Sequence, residues 1–344
     1  MGKTFIIAEL SANHNHNLQT AIDSIKAAAE IGVDAVKIQT YTADTITLNC
    51  KKEDFILHGG LWDSYNYYDL YREAYTPWEW HEELFNVAKD CGVIMFSTPF
   101  DNTAVDLLES LGNPIYKIAS FEIMDTELIR YAAAKGKPMI LSTGIATEQE
   151  IDEAIAACNE VGNHDITLLK CTSEYPARIE DANLSMIPAM HKRFGVKIGL
   201  SDHSIGSLVP TVAVALGASI VEKHFILDRS IGGPDSGFSM NRKEFAQMVK
   251  DIRMAECSLG TQSFELTDKI MAARKSGRSL YVAKDIKAGE VITPENVRCV
   301  RPGLSLHPRH WKDIVGHTVN RDLTLGDRIS LTDIKTTSDK NFKV

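Results

Sequence analysis

The sequence has no apolar run approaching the roughly 18 residues of a membrane-spanning helix, so no membrane partner is expected. It has no low-complexity tract and, apart from a strand–helix rhythm, no repeat at the roughly 20–50-residue periods of solenoids and propellers. Its six cysteines, Cys50, Cys91, Cys158, Cys171, Cys257 and Cys299, form no CxxC pair. They are too scattered for a disulfide framework and read as reduced thiols of a cytoplasmic protein. The first residues, MGKTFIIAEL, enter a strand-like run at once, which leaves no room for a signal peptide. Basic residues are also outnumbered, 37 to 46, for a net charge of −9. The deficit lies in the body, because residues 277–344 hold 12 basic and 8 acidic side chains. An acidic body repels polyanions, which argues against nucleic acid as a partner. The basic tail either reflects ordinary surface composition or brings positive charge to the body or to an anionic ligand.

With 44% hydrophobic and 24% charged residues, the 344-residue chain has globular composition, and its length suits two domains or one α/β barrel with an added module. Eight apolar runs recur: FIIAEL (5–10), AVKIQT (35–40), IMFSTP (94–99), IYKIAS (115–120), PMILST (138–143), ITLLKCT (166–172), KIGLSDH (197–203) and IVEKHF (220–225). Helical periodicity fills the intervals, for example at 19–31, 77–91, 147–161 and 207–216. Repeated βα units give a parallel sheet, either an eight-stranded (β/α)8 TIM barrel or a doubly wound open sheet. Reactive residues close nearly every run, and only a barrel brings all strand ends to one mouth, so the barrel is expected. The long stretch 41–76, rich in Trp and Tyr, is expected as a lid or a satellite helix. A barrel domain over 1–260, a linker over 261–277, a small mostly-β domain over 278–335 and a flexible tail over 336–344 complete the expected organisation.

Residues two apart on a strand face the same way, so Ser201 pairs with His203 and Glu222 with His224. Two imidazoles near Glu9, Glu222 and Asp235 could form a divalent site for Mn2+, Fe2+, Co2+ or Zn2+, or could be hydrogen-bonded interior histidines. Lys37, Lys117 and Lys170 lie in strand runs. Buried lysines need anions, such as a ligand's phosphate and carboxylate, or one of them is a Schiff-base nucleophile. Hydroxyls at Ser97, Thr98, Ser120, Ser142, Thr143, Thr172 and Ser173 fit a phosphate-bearing ligand, although strand-end Ser and Thr also form turns. Gly232-Gly233 ahead of Asp235 permit a tight loop over the mouth, or a plain surface turn.

The segments AELSANH (8–14), AVKIQTY (35–41), FSTPFD (96–101), YKIASFE (116–122), STGIAT (142–147), GLSDHS (199–204), EKHF (222–225) and GGPDS (232–236) together resemble the sialic acid synthase family. The tail resembles its antifreeze-like (SAF) domain. Within the family, NxxKEDFILHGGLWD (49–63), YTPWEWH (75–81) and CTSEYP (171–176) look most like the branch that makes pseudaminic acid. The resemblance implies condensation of phosphoenolpyruvate (PEP) with an open-chain acylated amino-hexose, 2,4-diacetamido-2,4,6-trideoxy-altrose in that branch. Sister branches make N-acetylneuraminate and legionaminate by the same chemistry. It further implies a divalent ion, Mn2+, on His203 and His224, and PEP on Lys37, Thr98, Lys117, Ser120, Ser142 and Ser201. Catalytic carboxylates would be Glu9, Glu222 and Asp235, and the sugar side would be Gln39, Glu122, Tyr175, Asp235 and Arg301. Arg301 would act across a domain-swapped homodimer. Ser173 and Ser236 depart from the Asn and His of N-acetylneuraminate relatives, which bears on the choice of sugar. The rivals are a metal-independent Schiff-base aldolase on Lys117 or Lys170, a PEP synthase using a phosphorylated sugar, and a non-catalytic carbohydrate-binding protein.

Overall fold

The computed structural model describes residues 2–335, so the expected tail at 336–344 lies outside the described residues. Two compact units are present, Met1–Gly260 and Thr261–Val344. In the first, eight strands run parallel: β1 (Phe5–Glu9), β2 (Ala35–Thr40), β3 (Ile94–Pro99), β4 (Tyr116–Ile118), β5 (Met139–Ser142), β6 (Ile166–Cys171), β7 (Lys197–Asp202) and β8 (Ile220–Ile226). Each pairs with its sequence neighbour, and β8 returns to β1, so the sheet closes into the expected barrel. The closure sets Glu9 opposite both Lys37 on β2 and His224 on β8.

Local sequence places the helices between strands. The Asn17 side chain accepts the Thr20 N–H to start Leu18–Ile31, which stops at left-handed Gly32. Thr147 and Glu150 form a capping box at the head of Glu148–Glu160. The segment expected as one helix over 77–91 is a single 3-10 turn, Trp78–Trp80, followed by His81–Asp90. The expected strand over 115–120 is shorter, because the chain turns at Ser120–Glu122 and so brings Ser120 over the mouth. Stretch 41–76 holds short helices at Ala43–Ile46 and Tyr67–Ala74. Among the described residues, no helix is long and apolar enough to cross a membrane.

Strand alternation sorts the barrel interior by height. Ile7, Ala35, Phe96, Ile140, Leu169 and Ile220 pack together as a floor. Gly199 is needed there, since a Cβ would come within 2.6 Å of the Leu169 side chain and 2.7 Å of the Ile220 carbonyl oxygen. Two residues further along these strands come Glu9, Lys37, Thr98, Ser142, Cys171, Ser201 and Glu222, and the same parity on β4 points Lys117 inward. The charged site is therefore a direct continuation of the apolar floor.

The second unit pairs Ser279–Val282 antiparallel with Val297–Val300 around a core of Leu280, Val282, Ile286, Val297, Val319 and Leu323. A helix, Asp268–Arg274, capped by the Thr267 side chain, occupies part of the stretch expected as a linker.

Candidate active site

Four charged side chains fill the barrel above its floor. Lys37 Nζ lies 2.5 Å from Glu9 Oε2 and 3.8 Å from Glu222 Oε1, and Lys117 Nζ lies 3.5 Å from the same Glu222 oxygen. Both lysines are only 2% exposed. Lys37 also donates to Thr98 Oγ1 at 2.9 Å, and Ser201 Oγ donates to Glu222 Oε1 at 3.4 Å. Burial opposes charge on Lys37, but the Glu222 and Glu9 carboxylates outweigh it and hold its pKa above the ordinary lysine value. Burial wins at Lys117, whose pKa is lowered despite Glu222. Burial likewise pushes Glu9 up to about 7 against the pull of Lys37.

The hydroxyls converge beside this cluster. Gly144 N–H donates to Ser120 Oγ at 3.1 Å, and a Cβ on Gly144 would sit 2.8 Å from that oxygen and 2.2 Å from Ser173 Oγ. Glycine is thus what lets three strand ends close into one cradle. Ser142 Oγ and Glu222 Oε2 are buried with no hydrogen-bond partner. Orphaned buried polar atoms are costly, and a polar ligand would satisfy them.

At the mouth the His203 and His224 rings lie with centroids 5.4 Å apart. His203 Nδ1 donates to the Thr172 carbonyl at 2.8 Å, since a carbonyl only accepts, which leaves the Nε2 lone pair free. His224 Nδ1 is buried without a hydrogen-bond partner, 3.8 Å from Asp235 Oδ2. Burial, then the His203 ring, pushes its pKa well below the usual histidine value, so His224 is neutral. Two facing imidazoles, one oriented by a carbonyl and the other neutral and unpartnered at Nδ1, fit a divalent ion. Among the described residues there is no group of three or more His, Cys, Asp or Glu arranged to hold a metal, so other ligands would be water or substrate.

Other expected residues take distinct places. Gln39 continues the inward face of β2 beyond Lys37, paired with Thr98. Glu122 lies in the turn after β4, where burial raises it to about 7 against the pull of Lys117. Tyr175 packs on His203 at 4.2 Å between centroids. Asp235 Oδ2 accepts the Ala12 N–H at 3.4 Å, which ties its loop to the end of β1. Arg301 is exposed and follows Val297–Val300 in the second unit. Lys170 does not join the cluster. Leu169 and Cys171 take the inward positions of β6, so Lys170 points outward, half-buried, to Thr172 Oγ1 at 2.8 Å.

Three site neighbours were not among the expected site residues, although Trp62 lies in the aromatic stretch 41–76 expected as a lid or a satellite helix. Phe238 lies 4.9 Å from His224, Trp62 lies 5.7 Å from Tyr175, and Cys171 Sγ lies 4.0 Å from His203 Nδ1. Inward parity after Leu169 would have found Cys171; no local pattern marks Phe238.

Residues 24–264 match the NeuB family, and residues 277–335 match the SAF domain. The chain belongs to the NeuB family. This bears out the resemblance read from the strand-end motifs. The pseudaminic acid synthase of Helicobacter pylori (strain ATCC 700392 / 26695) is 50% identical to this NeuB chain over 331 residues, 96% of the chain and 97% of the relative. The pseudaminic acid synthase of Campylobacter jejuni serotype O:2 is 48% identical over 333 residues, 97% of each. Among solved structures, the N-acetylneuraminic acid synthetase of Leptospira borgpetersenii, in complex with citrate, superposes with a TM-score of 0.71 at 31% identity. That match covers 79% of this chain and 90% of the other.

Proposed function

We propose that this NeuB chain is a pseudaminic acid synthase. It joins PEP to open-chain 2,4-diacetamido-2,4,6-trideoxy-altrose, giving pseudaminic acid and phosphate with C–O cleavage. The observation that carries the reading is the juxtaposition of two buried lysines and an orphaned serine with two facing imidazoles at one barrel mouth.

In this reading Lys37 and Lys117 bind the phosphate and carboxylate of PEP, with Thr98, Ser120, Ser142 and Ser201 as neutral partners. Mn2+, held by His203 and His224, would polarise the sugar's aldehyde oxygen. The C2=C3 π pair of PEP attacks the aldehyde carbon through C3 to form the C–C bond, which leaves C2 cationic, and the aldehyde oxygen takes up a proton from solvent to become a hydroxyl. Water adds at the cationic C2 and gives its proton to Glu222, whose second oxygen is unpartnered. The bond between C2 and the phosphate oxygen then breaks, the C2 hydroxyl passes its proton to the departing phosphate, and C2 becomes a ketone. Glu9 and Asp235 hold sugar hydroxyls, with Gln39, Glu122 and Tyr175 beside them. We place the enzyme in the cytoplasm, which its six free cysteines support. We also place it in a domain-swapped homodimer, with Arg301 serving the second copy's mouth.

Phosphate release from PEP, followed with each candidate sugar, tests the assignment. Release is expected with the 6-deoxy diacetamido-altrose, lost with EDTA and restored by Mn2+. Release with N-acetylmannosamine or the legionaminate precursor instead would move the chain to a sister branch. Absence of release with every one of these sugars, in folded and metal-loaded protein, would overturn the synthase reading.

A further inference from the structure

The loop that carries Asp235 has little to fix its own shape. Gly232 and Gly233 take left-handed φ of 75° and 103°, and Gly237 lies two residues beyond Asp235. Its geometry is set from outside, by the turn after β1. Asn13 is 1% exposed and donates both hydrogens of its side-chain amide, to the Phe225 carbonyl at 2.9 Å and to Ser239 Oγ at 2.8 Å. Ser239 is fully buried and donates its hydroxyl in turn to the Asp235 carbonyl at 2.7 Å. Phe225 directly follows His224 on β8, so one amide ties the backbone of the carboxylate loop to the strand of the imidazole. The turn that presents Asn13 is strained: Ser11, Asn15 and His16 hold left-handed φ of 44°, 45° and 50°, which side chains seldom adopt. Asn13 Oδ1 is also buried with no hydrogen-bond partner. Strain and an orphaned acceptor both cost stability, and they persist where they hold a functional group in place.

We propose that Asn13, acting through Ser239, is a positioning residue that fixes Asp235 against the sugar. The inference rests on the reaction proposed above, in which Asp235 holds a sugar hydroxyl. Without the amide, the Asp235 backbone loses its tether to β8, and the carboxylate drifts from the place the sugar requires. A displacement of about 1 Å can cost up to roughly a hundredfold in rate. Lys37 and Lys117 are held by Glu9, Glu222 and Thr98, none of which Asn13 touches, so PEP binding does not depend on this chain of bonds.

The test measures KM for PEP and for the sugar that wild type accepts, in wild type, Asn13→Ala, Ser239→Ala and the double variant, with amide hydrogen exchange over residues 232–239. Asn13→Ala is expected to raise KM for the sugar roughly 10- to 100-fold while KM for PEP stays unchanged, and to speed exchange in that loop. Ser239→Ala should show the same split between the two substrates. The double variant should be no worse than Asn13→Ala, because both changes break one chain of bonds. An unchanged KM for the sugar in both single variants, a KM for PEP that rises alongside it, or single effects that multiply in the double variant would overturn the positioning role and leave the synthase reading standing. Wild type that releases no phosphate with any candidate sugar would overturn the synthase reading and this inference with it. If Asn13→Ala proves unfolded by circular dichroism, Ser239→Ala, which removes only the relaying hydroxyl, decides the question by the same split.

Discussion

Lys117→Met is expected to lower kcat/KM for PEP at least about a hundredfold, mainly through KM for PEP, with KM for the sugar little changed. Lys117 is buried and faces Glu222 at 3.5 Å, so its ammonium cannot be replaced by water at low cost. Truncating one partner of a buried charge pair costs about 2–5 kcal/mol, and each ~1.4 kcal/mol is tenfold. Methionine fills similar volume, which limits the damage to charge. Glu222 keeps Lys37 at 3.8 Å and the Ser201 hydroxyl at 3.4 Å, and with one cation fewer it is expected to take up a proton more readily. Lys117→Arg should not rescue, because a planar fork does not fit where a compact ammonium sits between strands. Steady-state kinetics with each substrate varied in turn separate the two KM values. Wild-type kinetics in the Met variant would remove Lys117 from the PEP site.

The second large effect is on stability, through the opposite face of β7 and β8. Asp202 and Lys223 are paired in register, and each immediately precedes one of the two site histidines. Lys223 Nζ donates to Asp202 Oδ2 and to the Ser204 carbonyl, while the Asp202 carboxylate accepts the Ser204 N–H and hydroxyl, each at 3.0 Å. Lys223 is 1% and Asp202 4% exposed. Lys223→Met strands a buried carboxylate and should cost about 3–5 kcal/mol, a fall in Tm on the order of 10 °C for a unit of this size. Adding Asp202→Asn to Lys223→Met removes the stranded charge and should recover much of that loss. Thermal and urea denaturation of the two single variants and the double variant measure it. A double variant as unstable as the sum of the singles would mean that the two residues act independently.

Much of this was legible because strands alternate. Parity alone placed Ser201 with His203 and Glu222 with His224 on the inward face. The reactive strand ends, from Glu9 to His224, pointed to a closed barrel, since an open sheet has no single mouth. Lys170 misled because its type and strand position matched Lys37, although the parity of Leu169 and Cys171 already turned it outward. The break at Ser120, which shortens β4, was hidden inside an apolar run. Phe238, and the contact of Trp62 with Tyr175, were out of reach for a different reason: these rings meet only through the fold, across long sequence separations, and ring contacts leave no periodic trace. The motif resemblance supplied what periodicity could not, the identity of the ligands expected at the mouth.

The central claim is that this barrel joins PEP to a sugar aldehyde and expels phosphate by breaking the bond between C2 and oxygen. The most direct measurement uses PEP carrying 18O in the oxygen that bridges C2 and phosphorus, incubated with the protein, Mn2+ and the 6-deoxy diacetamido-altrose. The phosphate and the keto acid are then weighed by mass spectrometry. The label is expected to leave with phosphate, and the ketone oxygen to come from water. Label retained in the keto acid would mean P–O cleavage and would contradict the addition of water at C2; no keto acid at all would contradict the condensation itself.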